Sequence, residues 1–442
     1  MENLTLPEPD VVRELPLGVT SEQQYSFARL ARTDVTAGTH GLHKYPAKFI
    51  PQIPRWALQY DERTPARRVL DPFCGSGTTL VEAGLAGANA VGVDISPLAV
   101  AISRAKCTRV GHSDAELVRA VDGVLSVAKG HLRLYTKEFE SARGAECRGM
   151  HYTWANWFEP QGIAGLVALR DAVAGTVEAD DIKHLALTTL SSVTKACSYL
   201  NEDQIKVRFD GEKSVAEPFG AFRDAFLSAA VAQREVGRKF DASGARLEAH
   251  LGSASAVPLE AGSFDRVITS PPYINAVDYT MAHKYNLFVL GLLPPDEFKA
   301  HCRDYIGVTE RAVRSEDMAC MPPCPTNSVQ SVVHSLQALD TPTSRNRAYC
   351  VAQYFDGMGK ALAEGFRLLD DGGLYFLVVG ESNRICNILV PTADLLEEIA
   401  NDVGFVTELR FFHVLANRSS MRLNRSATGG SIARERIYVF RK

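Results

Sequence analysis

Residues 67–94 read RRVLDPFCGSGTTLVEAGLAGANAVGVD, and this stretch decides the fold class. Its segments RRVLD and NAVGVD predict two strands, and TTLVEAGLAG between them predicts a helix that a glycine ends. A strand, a glycine-rich turn, a helix and a second strand form a βαβ unit, which predicts a parallel sheet. The alternation of strands and helices resumes at residue 247. The sequence therefore predicts one doubly wound α/β domain, built from residues 41–100 and 247–442.

Two segments lie outside this alternation of strands and helices. Residues 1–40 are polar and have little periodicity, so we expect a poorly ordered lead-in. Residues 101–246 contain amphipathic helical segments and few strand patterns, which predicts a largely helical insert. The α/β domain is therefore expected to be assembled from two separate parts of the chain.

The composition is that of an ordinary globular protein. Hydrophobic residues make up 46% and charged residues 23%, and the net charge is −4. No apolar run reaches the roughly 18 to 20 residues that a membrane span needs, and the N-terminus has no signal pattern. The nine cysteines lack metal-site spacing, so neither a metal nor a disulfide framework is expected. These features predict a cytoplasmic protein that does not span a membrane.

The glycine-rich turn at residues 71–78 has the features of a nucleoside site. Gly75 and Gly77 let the backbone approach a ligand closely, and the turn lacks the lysine of a phosphate-binding loop. Asp94 ends the next strand, where an acid can accept hydrogen bonds from ribose hydroxyls. A nucleoside ligand without a phosphate fits both features, and S-adenosylmethionine is the commonest such ligand.

The motif DPFCGSGTT (71–79) resembles the first cofactor motif of the amino-group DNA methyltransferases, which methylate adenine N6 or cytosine N4. Upstream, HKYPAKF (43–49) resembles the family's motif around the methionine end of the cofactor, and LGSA (251–254) occupies the position of its adenine-contacting loop. The resemblance implies a Rossmann-like methyltransferase fold with S-adenosylmethionine as cofactor. The cofactor-binding residues that it implies are Lys48, Phe49, Asp71, Pro72, Phe73, Gly75, Gly77, Thr78, Asp94 and Ser253.

A second motif, SPPY, follows the predicted strand FDRVI (264–268) and so lies at the same sheet edge as the glycine turn. An exocyclic amine is a poor nucleophile, because its lone pair is delocalised into the ring. Two acceptors on its N–H groups would favour a pyramidal nitrogen, and a serine hydroxyl and a proline carbonyl can supply them. SPPY resembles the family's [D/N/S]-P-P-[Y/F] motif, whose serine form favours cytosine N4 over adenine N6. The implied catalytic residues are Ser270, Pro271, Pro272 and Tyr273.

The resemblance implies double-stranded DNA as the partner, with the target base flipped out of the helix. It leaves open whether a cognate restriction endonuclease accompanies the enzyme. Within the insert, residues 188–210 mix hydroxyl, amide and basic side chains, which makes the insert the candidate target-recognition region. Its aromatic cluster around Trp154, Trp157 and Phe158 either stacks on a displaced base or forms the core of the insert.

Basic residues are concentrated near the C-terminus. The run NRSSMRLNRSATGG (417–430) has the polar, glycine-ended composition of a loop between the last two strands. We expect Arg418, Arg422 and Arg425 in this loop to contact DNA phosphates.

Four other functions are compatible with parts of the sequence. Adenine-N6 methylation of DNA and amino methylation of RNA, at guanine N2 or adenine N6, would use similar loops. A cytosine-C5 enzyme needs a thiolate nucleophile, and Pro322-Pro323-Cys324 resembles such a loop, although no apolar strand precedes it. A non-catalytic DNA-binding module is the fourth, and the presence of both Ser270 and Tyr273 argues against it.

Overall fold

The computed structural model describes residues 9–46, 49–61, 65–205, 207–274, 279–307, 320–415 and 433–442. The strands in these ranges are β1 (Asp10–Val11), β2 (Gln24–Ser26), β3 (Arg68–Asp71), β4 (Asn89–Asp94), β5 (Leu247–Leu251), β6 (Phe264–Thr269), β7 (Leu369–Gly380), β8 (Asn383–Ile385), β9 (Ile388–Val390), β10 (Val406–Val414) and β11 (Arg434–Arg441). The α-helices are α1 (Arg32–Val35), α2 (Gln52–Gln59), α3 (Thr78–Leu85), α4 (Pro97–Cys107), α5 (Asp114–Ser141), α6 (Pro160–Thr176), α7 (Asp180–Val193), α8 (Pro218–Ser243), α9 (Tyr279–Ala282), α10 (Lys284–Val289), α11 (Phe298–His301), α12 (Asn327–Gln337), α13 (Pro342–Leu368) and α14 (Thr392–Val403).

The main sheet has the order β1-β2-β10-β11-β7-β6-β3-β4-β5. Its neighbouring strands are parallel except at β11, which runs antiparallel to both β10 and β7. After β3 the chain moves to β4 on one side, and after β6 it moves to β7 on the other side. The direction of winding therefore reverses between β3 and β6, which is where open α/β sheets bind ligands.

Helices cover both faces of this sheet because the strand side chains alternate between two apolar layers. Leu70, Val267 and Leu377 point into a core that α12, α13 and α14 complete. Their sequence neighbours, such as Val69 and Ile268, point to the opposite face and pack with α2 and α3. The predicted doubly wound α/β fold is confirmed.

The chain between β4 and β5 is helical, as the sequence predicts. Helices α5, α6, α7 and α8 pack on one another and on α4, and together with α10 they enclose a third apolar core. Trp154 and Phe158 are buried in this core, with exposed fractions of 0% and 3%. These two rings therefore form part of the core of the insert. They are not the rings that stack on a displaced base, which was the other possibility that the sequence left open.

The expectation of a poorly ordered lead-in is wrong for residues 9–40. Strand β2 pairs in parallel with β10, and β1 extends the sheet beyond it. Tyr25 and Phe27 are buried, and the Trp56 indole N–H donates to the Pro16 carbonyl over 3.0 Å. The buried apolar residues of this segment are irregularly spaced, so the sequence has no periodic pattern that would reveal them: Leu15, Val19, Tyr25 and Phe27.

Within the described ranges, no helix is both long and apolar enough to cross a membrane. The same ranges contain no cluster of three or more histidine, cysteine or acidic side chains that could hold a metal ion.

Candidate active site

A cavity opens at the carboxyl ends of β3, β4 and β6, at the point where the winding reverses. It encloses about 780 Å³, including the part that is open to solvent. Its described lining residues are Tyr45, Phe49, Pro72, Phe73, Cys74, Gly75, Ser76, Thr78, Asp94, Ile95, Ser253, Ala254, Ser270, Pro272, Tyr279, Asp304, Tyr305 and Ile306.

Asp71 lies beneath this cavity and joins the two motif loops. It is buried, and its Oδ1 accepts a hydrogen bond of 2.6 Å from the hydroxyl of Thr269, at the end of β6. Its Oδ2 accepts another of 2.6 Å from the Thr79 hydroxyl in α3. Burial raises the pKa of Asp71 to about 6, although these hydrogen bonds oppose the shift. The carboxylate thus fixes the glycine turn relative to the strand that carries Ser270.

Two glycines give the cofactor turn its shape. Gly75 and Gly77 have φ angles of 49° and 77°, which side chains other than glycine rarely adopt. A Cβ atom at Gly77 would lie 3.1 Å or less from three atoms of Ser103 in α4. The Ser103 hydroxyl in turn donates to the Gly75 carbonyl over 2.8 Å. Helix α4 is therefore packed directly against the turn.

Asp94 ends β4 and is half-buried at the cavity wall. Its two carboxylate oxygens accept backbone N–H groups of Gly75 and Ser96, each over 2.8 Å. Burial raises its pKa to about 6, and the backbone hydrogen bonds oppose this shift. Each oxygen still has a lone pair for a further donor such as a ribose hydroxyl.

The structure divides the predicted site residues into three groups. Those that line the cavity are Phe49, Pro72, Phe73, Gly75, Thr78, Asp94, Ser253, Ser270 and Pro272. Four others lie just outside the lining and support it: Asp71, Gly77, Pro271 and Tyr273. Lys48, Arg418, Arg422 and Arg425 fall outside the described residues.

Three tyrosines of the cavity wall were missed from the sequence. Tyr45 lies inside the HKYPAKF motif, which could have revealed it, and its ring stacks on His283 at a centroid distance of 4.8 Å. Tyr279 and Tyr305 come from segments after SPPY that have no motif. Aromatic faces of this kind suit a cationic ligand group such as a sulfonium. The acid, the glycine cradle and the aromatic walls together fit S-adenosylmethionine.

Cys324 does not meet the needs of a cytosine-C5 nucleophile. It is half-buried against the core formed with α12, α13 and α14, and it is absent from the described cavity lining. Burial raises the pKa of its thiol, with Asp356 adding to the shift. An attacking thiol needs a lowered pKa, so this environment opposes that role.

The known proteins to which this chain is similar are methyltransferases, in agreement with the site described above. Residues 42–129 match the sequence profile of the family described as "UPF0020: RMKL-like, methyltransferase domain". The chain is 24% identical over 440 residues to Type II methyltransferase M.MvaI of Kocuria varians, covering 95% of this chain and 92% of that protein. It is 22% identical over 437 residues to Type II methyltransferase M.AvaI of Nostoc sp., covering 90% and 85%.

A third similarity is local. Over 76 residues the chain is 37% identical to the tRNA (guanine(10)-N2)-dimethyltransferase of Methanothermobacter thermautotrophicus. This match covers 17% of this chain and 23% of that enzyme. The matches over nearly the whole chain are thus to Type II methyltransferases. The topology and the cavity are those of an S-adenosylmethionine-dependent methyltransferase fold, and these similarities confirm the chain's resemblance to the amino-group DNA methyltransferases.

Proposed function

We propose that this enzyme methylates the N4 amino group of a cytosine that is flipped out of double-stranded DNA. One observation supports this most directly: Ser270 and Pro272 of SPPY line the same cavity as Gly75 and Asp94 of the cofactor site. A base amino group bound by the SPPY loop would therefore meet the cofactor within one cavity. Ordering the two reactants in this way can supply a large part of the rate enhancement.

The proposed roles follow from the chemistry of the amine. Bound S-adenosylmethionine supplies a methyl group that its sulfonium already activates. The Ser270 hydroxyl and the Pro271 carbonyl accept the two N–H groups of the target amine, which turns the nitrogen lone pair out of the ring plane. Proline lacks an N–H and has a fixed φ angle, so this loop presents acceptors on a stiff backbone. The Asn383 amide donates to the Ile274 carbonyl over 2.9 Å and holds the far end of the loop.

Two further comparisons favour the choice of substrate. The similarity to Type II methyltransferases extends over 95% of the chain in one case, whereas the similarity to the tRNA enzyme extends over 17%. DNA is therefore preferred over RNA. The serine at position 270 favours cytosine N4 over adenine N6, by the resemblance described above.

Target recognition is assigned in the same proposal to the helical insert at residues 101–246. Its segment 188–210 is joined to the cofactor motif HKYPAKF, because the Ser191 hydroxyl lies 2.9 Å from Nε2 of His43. Base-reading side chains on this segment would thus be close to the active-site cavity. A partner restriction endonuclease and a cytoplasmic location belong to the same proposal.

The decisive experiment is to methylate DNA with the purified protein, digest it to nucleosides and identify the modified base by mass. The expected product is N4-methylcytosine. Finding N6-methyladenine would change the base and keep the mechanism. Finding 5-methylcytosine, or a modification of tRNA with none in DNA, would overturn the proposal.

The role of Asp94 leads to a prediction on cofactor affinity. Replacing Asp94 with alanine should weaken S-adenosylmethionine binding by about 1.5–3 kcal/mol, the scale of a lost hydrogen bond to a charged group. Isothermal titration calorimetry measures this change, with Asp296→Ala as the control, since Asp296 is an exposed acid outside the described cavity lining. Unchanged affinity in Asp94→Ala would remove Asp94 from the cofactor site.

The raised pKa of Asp94 adds a pH dependence to this prediction. Its pKa is about 6, so cofactor affinity should fall by about tenfold between about pH 7.5 and about pH 5 as the carboxylate is protonated. Asp94→Asn should flatten this decline. The free energy of unfolding depends on pH in the opposite direction. Because folding raises the pKa of Asp94, its contribution to stability is present below about pH 4 and is lost as the pH rises through about 6. Protonation of Asp94 therefore does not itself destabilise the fold at low pH.

A separate prediction concerns the arginines at 418, 422 and 425, which lie outside the described residues. If they contact three DNA phosphates, replacing all three with glutamine should weaken binding to every DNA sequence. Each phosphate contact contributes about 0.9 to the magnitude of the slope of log K against log salt. Losing three contacts should therefore reduce that magnitude by about 2.7. Fluorescence anisotropy at several salt concentrations measures it. Loss of affinity for one DNA sequence alone would show instead that these arginines read bases.

A further inference from the structure

The phenol of Tyr273 is tied to the sheet behind it. Its hydroxyl donates a hydrogen bond of 2.7 Å to Oε1 of Glu435, in β11. Burial raises the pKa of Tyr273 well above 10, and the charge of Glu435 raises it further. The phenol therefore stays protonated and acts as the donor. This contact joins a loop residue of the SPPY motif to a strand that lies 162 positions further along the chain.

Glu435 is itself held by a second strand. His413 lies opposite it in the β10–β11 register, and Nδ1 of His413 donates to Oε2 of Glu435 over 2.7 Å. Only 8% of the His413 side chain and 11% of the Glu435 side chain are exposed. Phe27 of the N-terminal segment packs edge-on against the His413 ring at 5.1 Å. The carboxylate is thus fixed from both sides.

A buried carboxylate at this place is costly for the fold. Removing an ionised group from water is unfavourable unless hydrogen bonds compensate it, and an apolar cross-strand pair would be less costly. The carboxylate has one visible consequence at the site, since it holds the far end of the Tyr273 side chain. A tyrosine ring has two rotatable bonds, and a hydrogen bond at its para position removes the freedom that packing alone would leave.

We infer that Glu435, held by His413, is a positioning residue that sets the orientation of the Tyr273 ring for the flipped base. This inference rests on the proposed function, to which it adds that the ring face of Tyr273 stacks on the target base. Base–aromatic stacking depends on the plane of the ring, so an unanchored ring would capture the base in several orientations. Loss of the anchor should therefore slow the methylation step more than it weakens DNA binding.

The test is a double-mutant cycle on the single-turnover methylation rate. Glu435→Ala and Tyr273→Phe each remove the hydrogen bond, and each should slow the rate by about tenfold, since small errors in position cost this much or more. The double variant should be no slower than about twofold below Tyr273→Phe, because that single variant already removes the contact with Glu435 together with the hydrogen bond between the phenol and Ser270. Glu435→Gln should stay within about threefold of the wild type, since its amide oxygen can accept from Tyr273 and its NH2 can donate to Nδ1 of the other neutral tautomer of His413.

Two controls separate positioning from simple loss of stability. Glu381→Gln weakens a nearby ion pair with Arg434, in which Oε1 and a guanidinium nitrogen lie 2.7 Å apart, and it should leave the methylation rate unchanged. Cofactor affinity, measured by calorimetry, should stay within about twofold in the Glu435 and Tyr273 variants. A double variant about a hundredfold slower than the wild type, with multiplicative effects, would overturn the inference. So would a normal rate in Glu435→Ala.

The anchor can also be observed without DNA. A ¹⁹F NMR spectrum of the protein with 3-fluorotyrosine, assigned through Tyr273→Phe, should show a shifted or narrowed line for residue 273 in Glu435→Ala. An unchanged line would overturn the inference whatever the substrate is. If the line of residue 273 changes in Glu435→Ala but the wild-type protein methylates no DNA, the proposed function is overturned and the anchoring of Tyr273 by Glu435 stands.

Discussion

Replacing Ser270 with alanine is expected to slow single-turnover methylation by about 10²–10³-fold, the usual loss when one preorganised hydrogen-bonding group is removed from a reacting centre. Ser270 lines the cavity directly after β6, and in the proposed function its hydroxyl binds the target amine and not the cofactor. The interaction strengthens only as the nitrogen becomes pyramidal. Cofactor and DNA affinities should therefore change little, the signature of a group that acts mainly in the transition state.

The measurement is a rapid-quench assay with enzyme in excess over DNA, combined with calorimetry for the cofactor. Ser335→Ala is the matched control, since Ser335 is an exposed serine in α12 whose hydroxyl donates to the Ser331 carbonyl of the same helix. The control should methylate at the wild-type rate. A Ser270→Ala rate within about threefold of the wild type would remove Ser270 from the mechanism. A parallel loss of cofactor affinity would assign it to cofactor binding.

Replacing Gly77 with alanine is expected to have the second-largest effect. It should weaken cofactor binding through backbone strain and a steric clash. A φ angle of 77° costs an alanine about 1–2 kcal/mol. The new Cβ would also lie 2.9 Å from the Ser103 hydroxyl oxygen and 3.1 Å from its Cα atom. Overpacking of this kind costs about 1–3 kcal/mol. The turn must therefore shift away from α4, and we expect cofactor affinity to fall by at least about thirtyfold, the equivalent of about 2 kcal/mol.

The matched control is Gly130→Ala in α5. Gly130 is an exposed helical glycine whose added Cβ would have no neighbour within 4 Å. This change should raise the free energy of unfolding by about 0.5–1 kcal/mol and leave the cofactor affinity unchanged. Thermal unfolding and calorimetry of the two variants provide the comparison. Wild-type affinity in Gly77→Ala would mean that the turn can adopt another conformation around the same ligand.

The sequence alone determined the parts of this protein whose signals are local. The pattern of residues 67–94 predicted β3, α3 and β4, and the structure has them at Arg68–Asp71, Thr78–Leu85 and Asn89–Asp94. Placing SPPY at a strand end also predicted that Ser270 would lie at the edge that holds the glycine turn. Hydrophobic periodicity and the rules of parallel sheets suffice for this, because each strand end is fixed by its own segment.

Only the tertiary structure decided which distant segments meet at that edge. It showed that residues 9–40 add strands beside β10, that Tyr45 and Tyr305 close the cavity, and that Tyr273 is held by Glu435 and His413. Apart from Tyr45, which lies inside the HKYPAKF motif, these residues have no local pattern in the sequence, since each contact joins residues far apart in the chain. Their geometry depends on the register and twist of the assembled sheet, which no single segment encodes.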